Sequence, residues 1–219
     1  TILTKFDYEF FSQRNKKIIV MENPTSFEVI DQKQEDRKKV ILAVGNLDRF
    51  EHKGFDNLLE IAKEVLPNHP KWEINIIGSG TNGKRLLEKK ITTLKLEDKV
   101  KLLGFKDNIK EIMSSSEVFI LTSRNEGLPM VLLEAISQGM ACISYDCISG
   151  PSDIIENGKN GLLIENQNMN SMIHNLDKLL LDEQLRIKLR KNGPLSINRF
   201  SIEKVGCKWE KLINEVLTI

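Results

Sequence analysis

Two glutamates, Glu126 and Glu134, flank the turn Gly127-Leu128-Pro129 in the stretch SRNEGLPMVLLEAISQGM at 123–140. Proline suits the first turn of a helix, where its missing N–H is not needed. A helix is therefore predicted to start there, with the amides of Met130, Val131 and Leu132 free. Free amides at a helix start hold anions, a diphosphate among them. Glu126 sits just before that end and Glu134 about two turns inside it. Carboxylates accept hydrogen bonds from hydroxyls, so the pattern suits a ligand with a sugar on one side of a diphosphate and a ribose on the other. Either glutamate alone is more simply a dipole-stabilising residue or part of a solvated face. The turn between them favours the functional reading.

A second pattern competes with the first. Gly78, Gly80 and Gly83 in IIGSGTNG spell G-x-G-x-x-G. A dinucleotide fingerprint needs a strand, this loop, a helix and then an acid about 20 residues on. WEINII, KRLLEKK and Asp107 could supply these. However, the fingerprint normally follows the first strand of its fold, and here it follows the second. An oxidoreductase using Gly78–Gly83 is thus the lesser alternative.

Elements that would carry these residues follow from the apolar pattern. Strands are predicted at 40–44, 72–77, 100–105, 117–121, 140–146 and 161–164. Helices are predicted at 55–66, 84–96, 109–116, 129–138 and 151–157. Residues 168–219 are predicted helical, with a break at Asn192-Gly193-Pro194. Alternating strands and helices imply a Rossmann-like, doubly wound α/β fold with a parallel sheet of about six strands. Ligands bind at the carboxyl ends of such strands, which singles out loops 45–54, 78–83, 104–108, 122–129 and 147–151. Residues 1–39 stand apart: a helical piece at 7–15, a strand at 16–21, a turn at Asn23-Pro24 and the polar run DQKQEDRKK, read as a linker or exposed loop.

Composition excludes several classes. Lys plus Arg number 32 and Asp plus Glu 31, which gives no basic face for nucleic acid. No apolar run approaches the roughly 20 residues of a membrane helix, and the first residues lack the apolar core of a signal peptide. Cys142, Cys147 and Cys207 show no metal-ligand spacing, and an odd set of three fits a reducing cytoplasm better than a disulfide framework. No partner is apparent for His52, His69 or His174.

The segment E-G-L-P-x-V-x-L-E-A resembles the signature of retaining glycosyltransferases of family 4, which have the GT-B fold. VGNLDRFEHKGFDNLLEIA, IIGSG, VKLLGFKDNIKEIMSSSEVFILTSRNEG and GPSDIIENGKNGLLI resemble further family segments in the same order, so the resemblance covers about 40–217. It implies that 40–219 is the nucleotide-sugar domain, the C-terminal half of a GT-B enzyme. Residues 1–39 would then be the remnant of an N-terminal acceptor domain with its linker. By the resemblance, Glu126 meets the donor sugar near the reacting centre and Lys53 neutralises the departing diphosphate, so these two are the expected catalytic pair. Glu134 would bind the ribose, and the backbone of Gly127, Leu128, Pro129, Met130 and Val131 the sugar and phosphates. Phe105 and Lys106 would meet the base, while Gly45, Gly78 and Gly80 let the main chain approach the nucleotide. The family's usual arginine is replaced by Asn46, with Arg49 as a substitute.

The implied reaction moves a hexosyl unit from a nucleotide diphosphate sugar, UDP-linked by analogy, to a glycan or lipid-linked acceptor in bacterial surface polysaccharide synthesis. It needs no metal and no cofactor beyond the donor. The setting would be cytoplasmic, compatible with peripheral association at the inner face of the membrane. The alternative is a nucleotide-binding module without catalysis, and the fragment alone is expected to be inactive because the acceptor half is lacking.

Overall fold

The computed structural model describes residues 1–30 and 36–218. Six strands form one wholly parallel sheet: β1 (Lys38–Val44), β2 (Glu73–Ile77), β3 (Val100–Gly104), β4 (Ser116–Leu121), β5 (Ala141–Asp146) and β6 (Leu162–Glu165). Their order is β3-β2-β1-β4-β5-β6. The chain runs outward from β1 through β2 to β3, then returns to the other side of β1 to lay down β4, β5 and β6. The loops leaving β1 and β4 therefore part company, and open α/β sheets of this kind generally bind their ligands in the crevice at such a point.

Both faces of the sheet are covered, which is why the strands are continuous apolar runs. Side chains alternate between the faces. Ile41, Ala43, Ile76, Val118, Ile120 and Ile143 pack with α2 (Phe55–Val65), α3 (Asn82–Thr93) and α7 (Met169–Leu181). Leu42, Phe119, Leu121 and Cys142 pack on the other side with α4 (Ile109–Ser115) and α5 (Met130–Ser137). At the amino end of β4, buried Glu117 accepts from Arg186 Nε at 2.9 Å and lies 3.5 Å from Lys39. Both cations stand over the Trp72 ring.

The predicted elements at 55–66, 84–96, 109–116 and 129–138 are present with shifted ends, and the helix at 151–157 shrinks to α6 (Pro151–Ile154). Two expectations fail, and one helix near the start shifts. Residues 16–21 form no strand; Val20 makes only a lone bridge with Ile2. The helix predicted at 7–15 is α1 (Lys5–Phe11), started early by Thr4, whose hydroxyl accepts the Asp7 N–H at 3.2 Å. The break at Asn192-Gly193-Pro194 is absent, because α8 (Glu183–Ser196) runs through it. Gly193 and Pro194 are buried there, and a Cβ on Gly193 would meet the Ile136 side chain of α5 at 3.1 Å. Tertiary packing thus overrides the helix-breaking tendency of proline near a helix end.

The real interruptions are at Asp182, which caps α8 by accepting the Leu185 N–H at 2.9 Å, and at 197–201 before α9 (Ile202–Leu217). Of the predicted linker, 31–35 lies outside the described residues. Its end is not loose: Lys38 and Lys39 belong to β1, and Arg37 donates to the carbonyls of Met113, Ser116 and Gln138.

Candidate functional site

Every loop singled out in the sequence leaves the carboxyl edge of the sheet. A cleft of about 240 Å³ opens there, lined by Val44, Gly45, Asn46, Ile77, Gly78, Ser79, Phe105, Lys106, Ile109 and Glu134. Its floor is main chain brought unusually close. Gly45 N–H donates to Ile77 O at 2.9 Å, and Gly78 N–H to Gly104 O at 3.0 Å. A Cβ on Gly78 would lie 1.7 Å from Gly45 O, so only glycine lets these two strand ends meet. The walls are apolar at Val44, Ile77 and Ile109, and the Phe105 ring is 71% exposed at the rim. Such a slot suits a flat ring with a polar edge.

Glu134 closes one side of the cleft. Its carboxylate accepts from Ser26 Oγ at 2.6 Å. Burial raises its pKa above the ordinary carboxylate value, and the Ser26 hydroxyl offsets only part of that. The sequence gives no signal for Ser26, which lies 108 residues away.

Across the crevice Lys53 Nζ donates to Glu126 Oε1 at 2.8 Å, the side chains being 17% and 11% exposed. Ser123 Oγ donates to the same oxygen at 2.6 Å. The stem of Lys53 packs on Gly45: a Cβ there would meet Lys53 Cγ at 3.1 Å. The cleft and the ion pair are therefore neighbours. Ser123 adjoins the predicted motif but has no helical or strand spacing to mark it.

Helix α5 begins one residue later than predicted. Pro129 is its cap (φ −72, ψ 95) and Met130 its first residue. The amides of Leu132 and Leu133 both donate to Pro129 O, at 3.0 and 3.3 Å. Leu132 is thus not free, and the unspent amides of the first turn are those of Met130 and Val131. Leu128 is buried and anchors the turn, while Gly127 is exposed. The loop after β5 clamps the turn from behind. Gly150 takes φ 98, and a Cβ there would lie 1.9 Å from Gly127 O.

Asn46 is committed locally, because its side-chain oxygen accepts the Asp48 N–H at 2.8 Å and caps the short turn at 47–49. Arg49 is exposed on that turn and is absent from the cleft lining.

The G-x-G-x-x-G pattern has another use. Asp48 Oδ1 accepts the Gly83 N–H at 2.8 Å. The amides of Gly83 and Thr81, and then Asn82, hold the Asp48 carboxyl below its usual pKa. The start of α3 is thus already filled by a carboxylate, where a dinucleotide enzyme would place a pyrophosphate. A Cβ on Gly83 would lie 1.7 Å from Leu47 O, so the glycine serves loop packing. Asp107 is exposed and outside the cleft lining. The dinucleotide reading loses its phosphate site.

Among the described residues no cluster of three or more His, Cys, Asp or Glu could hold a metal ion. His69, for which the sequence suggests no partner, is buried with Nε2 2.7 Å from Asp177 Oδ1. Cys142 and Cys147 are free and buried; Cys207 is exposed. Burial pushes the Cys147 thiol up to about 12, so it is unreactive at neutral pH.

The amylovoran biosynthesis glycosyltransferase AmsD of Erwinia amylovora is 31% identical over 221 residues, covering 97% of this chain and 61% of that protein. An N-acetylgalactosaminyltransferase of Campylobacter jejuni acting on a diphospho-undecaprenol-linked sugar, by its name, is 37% identical over 200 residues, 90% of this chain and 53% of that protein. The chain thus spans little more than half the length of these relatives. A crystal structure of a variant of S. aureus TarM with Fondaparinux, alpha-GlcNAc-glycerol and UDP superposes with a TM-score of 0.88 at 25% identity, covering 97% of this chain and 43% of that one. A lipopolysaccharide outer core galactosyltransferase in its apo form gives 0.80 at 26% identity, over 98% and 61%. The family model for glycosyl transferases group 1 matches residues 26–196, and the chain belongs to that family.

Proposed function

We propose that this chain is the nucleotide-sugar half of a retaining glycosyltransferase that moves a hexosyl unit from a UDP-linked donor to a glycan or lipid-linked acceptor. The observation that carries the reading is the Lys53–Glu126 pair standing beside the Gly45–Gly78 cleft, with Glu134 in the cleft's lining. Lengthwise this is a nucleotide sugar: base against Phe105 and Ile109, ribose hydroxyls on Glu134, diphosphate at Lys53 and the Met130 and Val131 amides, sugar hydroxyls on Glu126. In the reaction the bond from the anomeric carbon to the diphosphate oxygen breaks. A bond to the acceptor oxygen forms, and the acceptor's proton passes to the departing diphosphate. Lys53 and the helix start stabilise the negative charge that grows on that leaving group.

UDP in the S. aureus structure supports a uridine donor, and the relatives' names support a bacterial surface polysaccharide as product. The donor domain, expected at 40–219, would begin with β1 at Lys38, and the residues before it would be the tail of an acceptor domain with its linker. The exposed apolar residues Phe6, Phe10 and Phe11 on α1 and Trp209, Ile213 and Val216 on α9 form faces for that other half. Among the described residues no helix is long and apolar enough to cross a membrane. The proposed setting is the cytoplasm, at the membrane's inner face when the acceptor is lipid-linked. By itself the chain binds donor and transfers nothing.

A thermal-shift series with UDP, UDP-sugars and NAD tests this. At a ligand concentration about 100 times Kd the expected stabilisation is about 2.7 kcal/mol, a rise of roughly 5–10 °C for a domain of this size. A rise with NAD and none with UDP refutes the assignment. Turnover by the chain alone refutes the claim that it is half a site.

A further inference from the structure

The loop carrying Lys53 and the loop carrying Glu126 are joined by a second set of contacts that uses neither the ammonium nor the carboxylate. Arg124 N–H donates to His52 O at 2.9 Å, and Thr122 Oγ1 donates to Lys53 O at 3.1 Å. The Arg124 guanidinium grips Asp56, the second residue of α2, with a two-pronged fork: Nη1 to Oδ1 at 2.8 Å and Nη2 to Oδ2 at 2.7 Å. It also donates to Glu51 O and, at 3.2 Å, to Asn57 Oδ1. Asn57 passes the connection on, donating to Gln167 Oε1 at 2.9 Å, and Gln167 Nε2 returns to Ser123 O at 3.3 Å. The circuit runs from the Lys53 loop through Arg124 and α2 back to Ser123, the residue that shares Glu126 Oε1 with Lys53.

An ordinary surface ion pair contributes little and would leave its neighbours alone. Arg124 does something different: besides the carboxylate, its guanidinium takes the Glu51 carbonyl of the loop that bears Lys53, next to the His52 carbonyl that its own backbone N–H holds. Its planar fork allows one orientation on a carboxylate, which a lysine ammonium does not enforce. We propose that Arg124 is a positioning residue: its fork on Asp56 sets the separation between the Lys53 ammonium and the Ser123–Glu126 pair, and so sets how firmly the cleft holds a diphosphate. The inference rests on the donor-site reading above. It predicts an effect confined to the phosphates, since the base and ribose walls at Ile77, Phe105 and Glu134 are not part of the circuit.

The test uses this chain, with UDP measured by titration calorimetry and uridine by ligand-observed NMR. Arg124→Gln should weaken UDP binding about ten-fold and leave uridine binding unchanged. Arg124→Lys, which keeps the charge and loses the fork, should fall between Arg124→Gln and the wild type. Asp56→Asn keeps the shape and part of the hydrogen bonding, so it should weaken UDP about three-fold; it bears the same prediction if Arg124→Gln does not fold. UDP binding unchanged in the folded variants overturns the inference and spares the donor site. Equal weakening of UDP and uridine overturns it too, since that is general loosening. A wild-type chain that does not bind UDP overturns the donor site and this inference together.

Discussion

Lys53 and Glu126 are bonded to each other, so a diphosphate bound at Lys53 would compete with the Glu126 carboxylate for the ammonium. Replacing each partner should then shift UDP affinity in opposite directions. The pair is neither exposed, where such contacts are worth about 0–1 kcal/mol, nor fully buried, where breaking one costs about 3–5 kcal/mol. With side chains 17% and 11% exposed, about 1.5 kcal/mol is a reasonable middle value for one charge-assisted hydrogen bond. That is about a factor of ten in an equilibrium constant. Glu126→Gln keeps the shape and the Ser123 contact, frees Lys53 and removes a negative charge facing the phosphates. UDP should bind about ten-fold more tightly. Lys53→Met should weaken UDP by about the same factor and leave Glu126 with Ser123 alone. The added affinity of a UDP-sugar over UDP should shrink in Glu126→Gln, since Glu126 is proposed to hold the sugar. Titration calorimetry of both ligands reads all of this. Weaker UDP binding in Glu126→Gln would refute the competition between carboxylate and phosphate.

Glycine positions differ sharply. Gly78→Ala forces a Cβ to 1.7 Å from Gly45 O and should prevent folding or cost several kcal/mol, about 3 or more by the usual size of backbone strain and clash. At Gly127 a Cβ meets nothing within 4 Å, so Gly127→Ala should melt within about 0.5 kcal/mol of the wild type; equal urea midpoints for the two variants would contradict the model of the floor. Burial raises the Glu134 carboxyl above its usual 4.5, with Ser26 lowering it only in part. A raised folded-state pKa means a stabilising contribution that is complete below the unfolded value and lost as pH rises through the folded one. Glu134→Gln should therefore be more stable than the wild type at about pH 7, an advantage that closes towards about pH 4; urea unfolding at both values decides it, and a constant difference rejects it. Arg186→Met leaves Glu117 buried beside the less intimate Lys39 and Arg190, and should cost about 3 kcal/mol in urea unfolding; a change under about 1 kcal/mol would show that those two cations suffice.

The strands and most crossover helices of the sheet were legible because their cause is local. A buried parallel strand must be continuously apolar, and its helix must carry one apolar stripe; 72–77 and 55–66 state both. The EGLP turn was legible for the same reason, since proline at a helix start is a short-range signal. What stayed hidden depends on partners distant in sequence. Ser26 reaches Glu134 from 108 residues away, and Asp48 fills the α3 amides that the glycine spacing offered to a phosphate. Pro194 stays helical because Gly193 packs on α5. The six sheet strands, most of the helices between them and the loops that share one sheet edge follow from short-range signals, because periodicity and turn chemistry act over a few residues. The packing roles of Gly83 and Gly193, and the bond between Lys53 and Glu126, emerge only in the folded chain, because they depend on what distant segments press against each group.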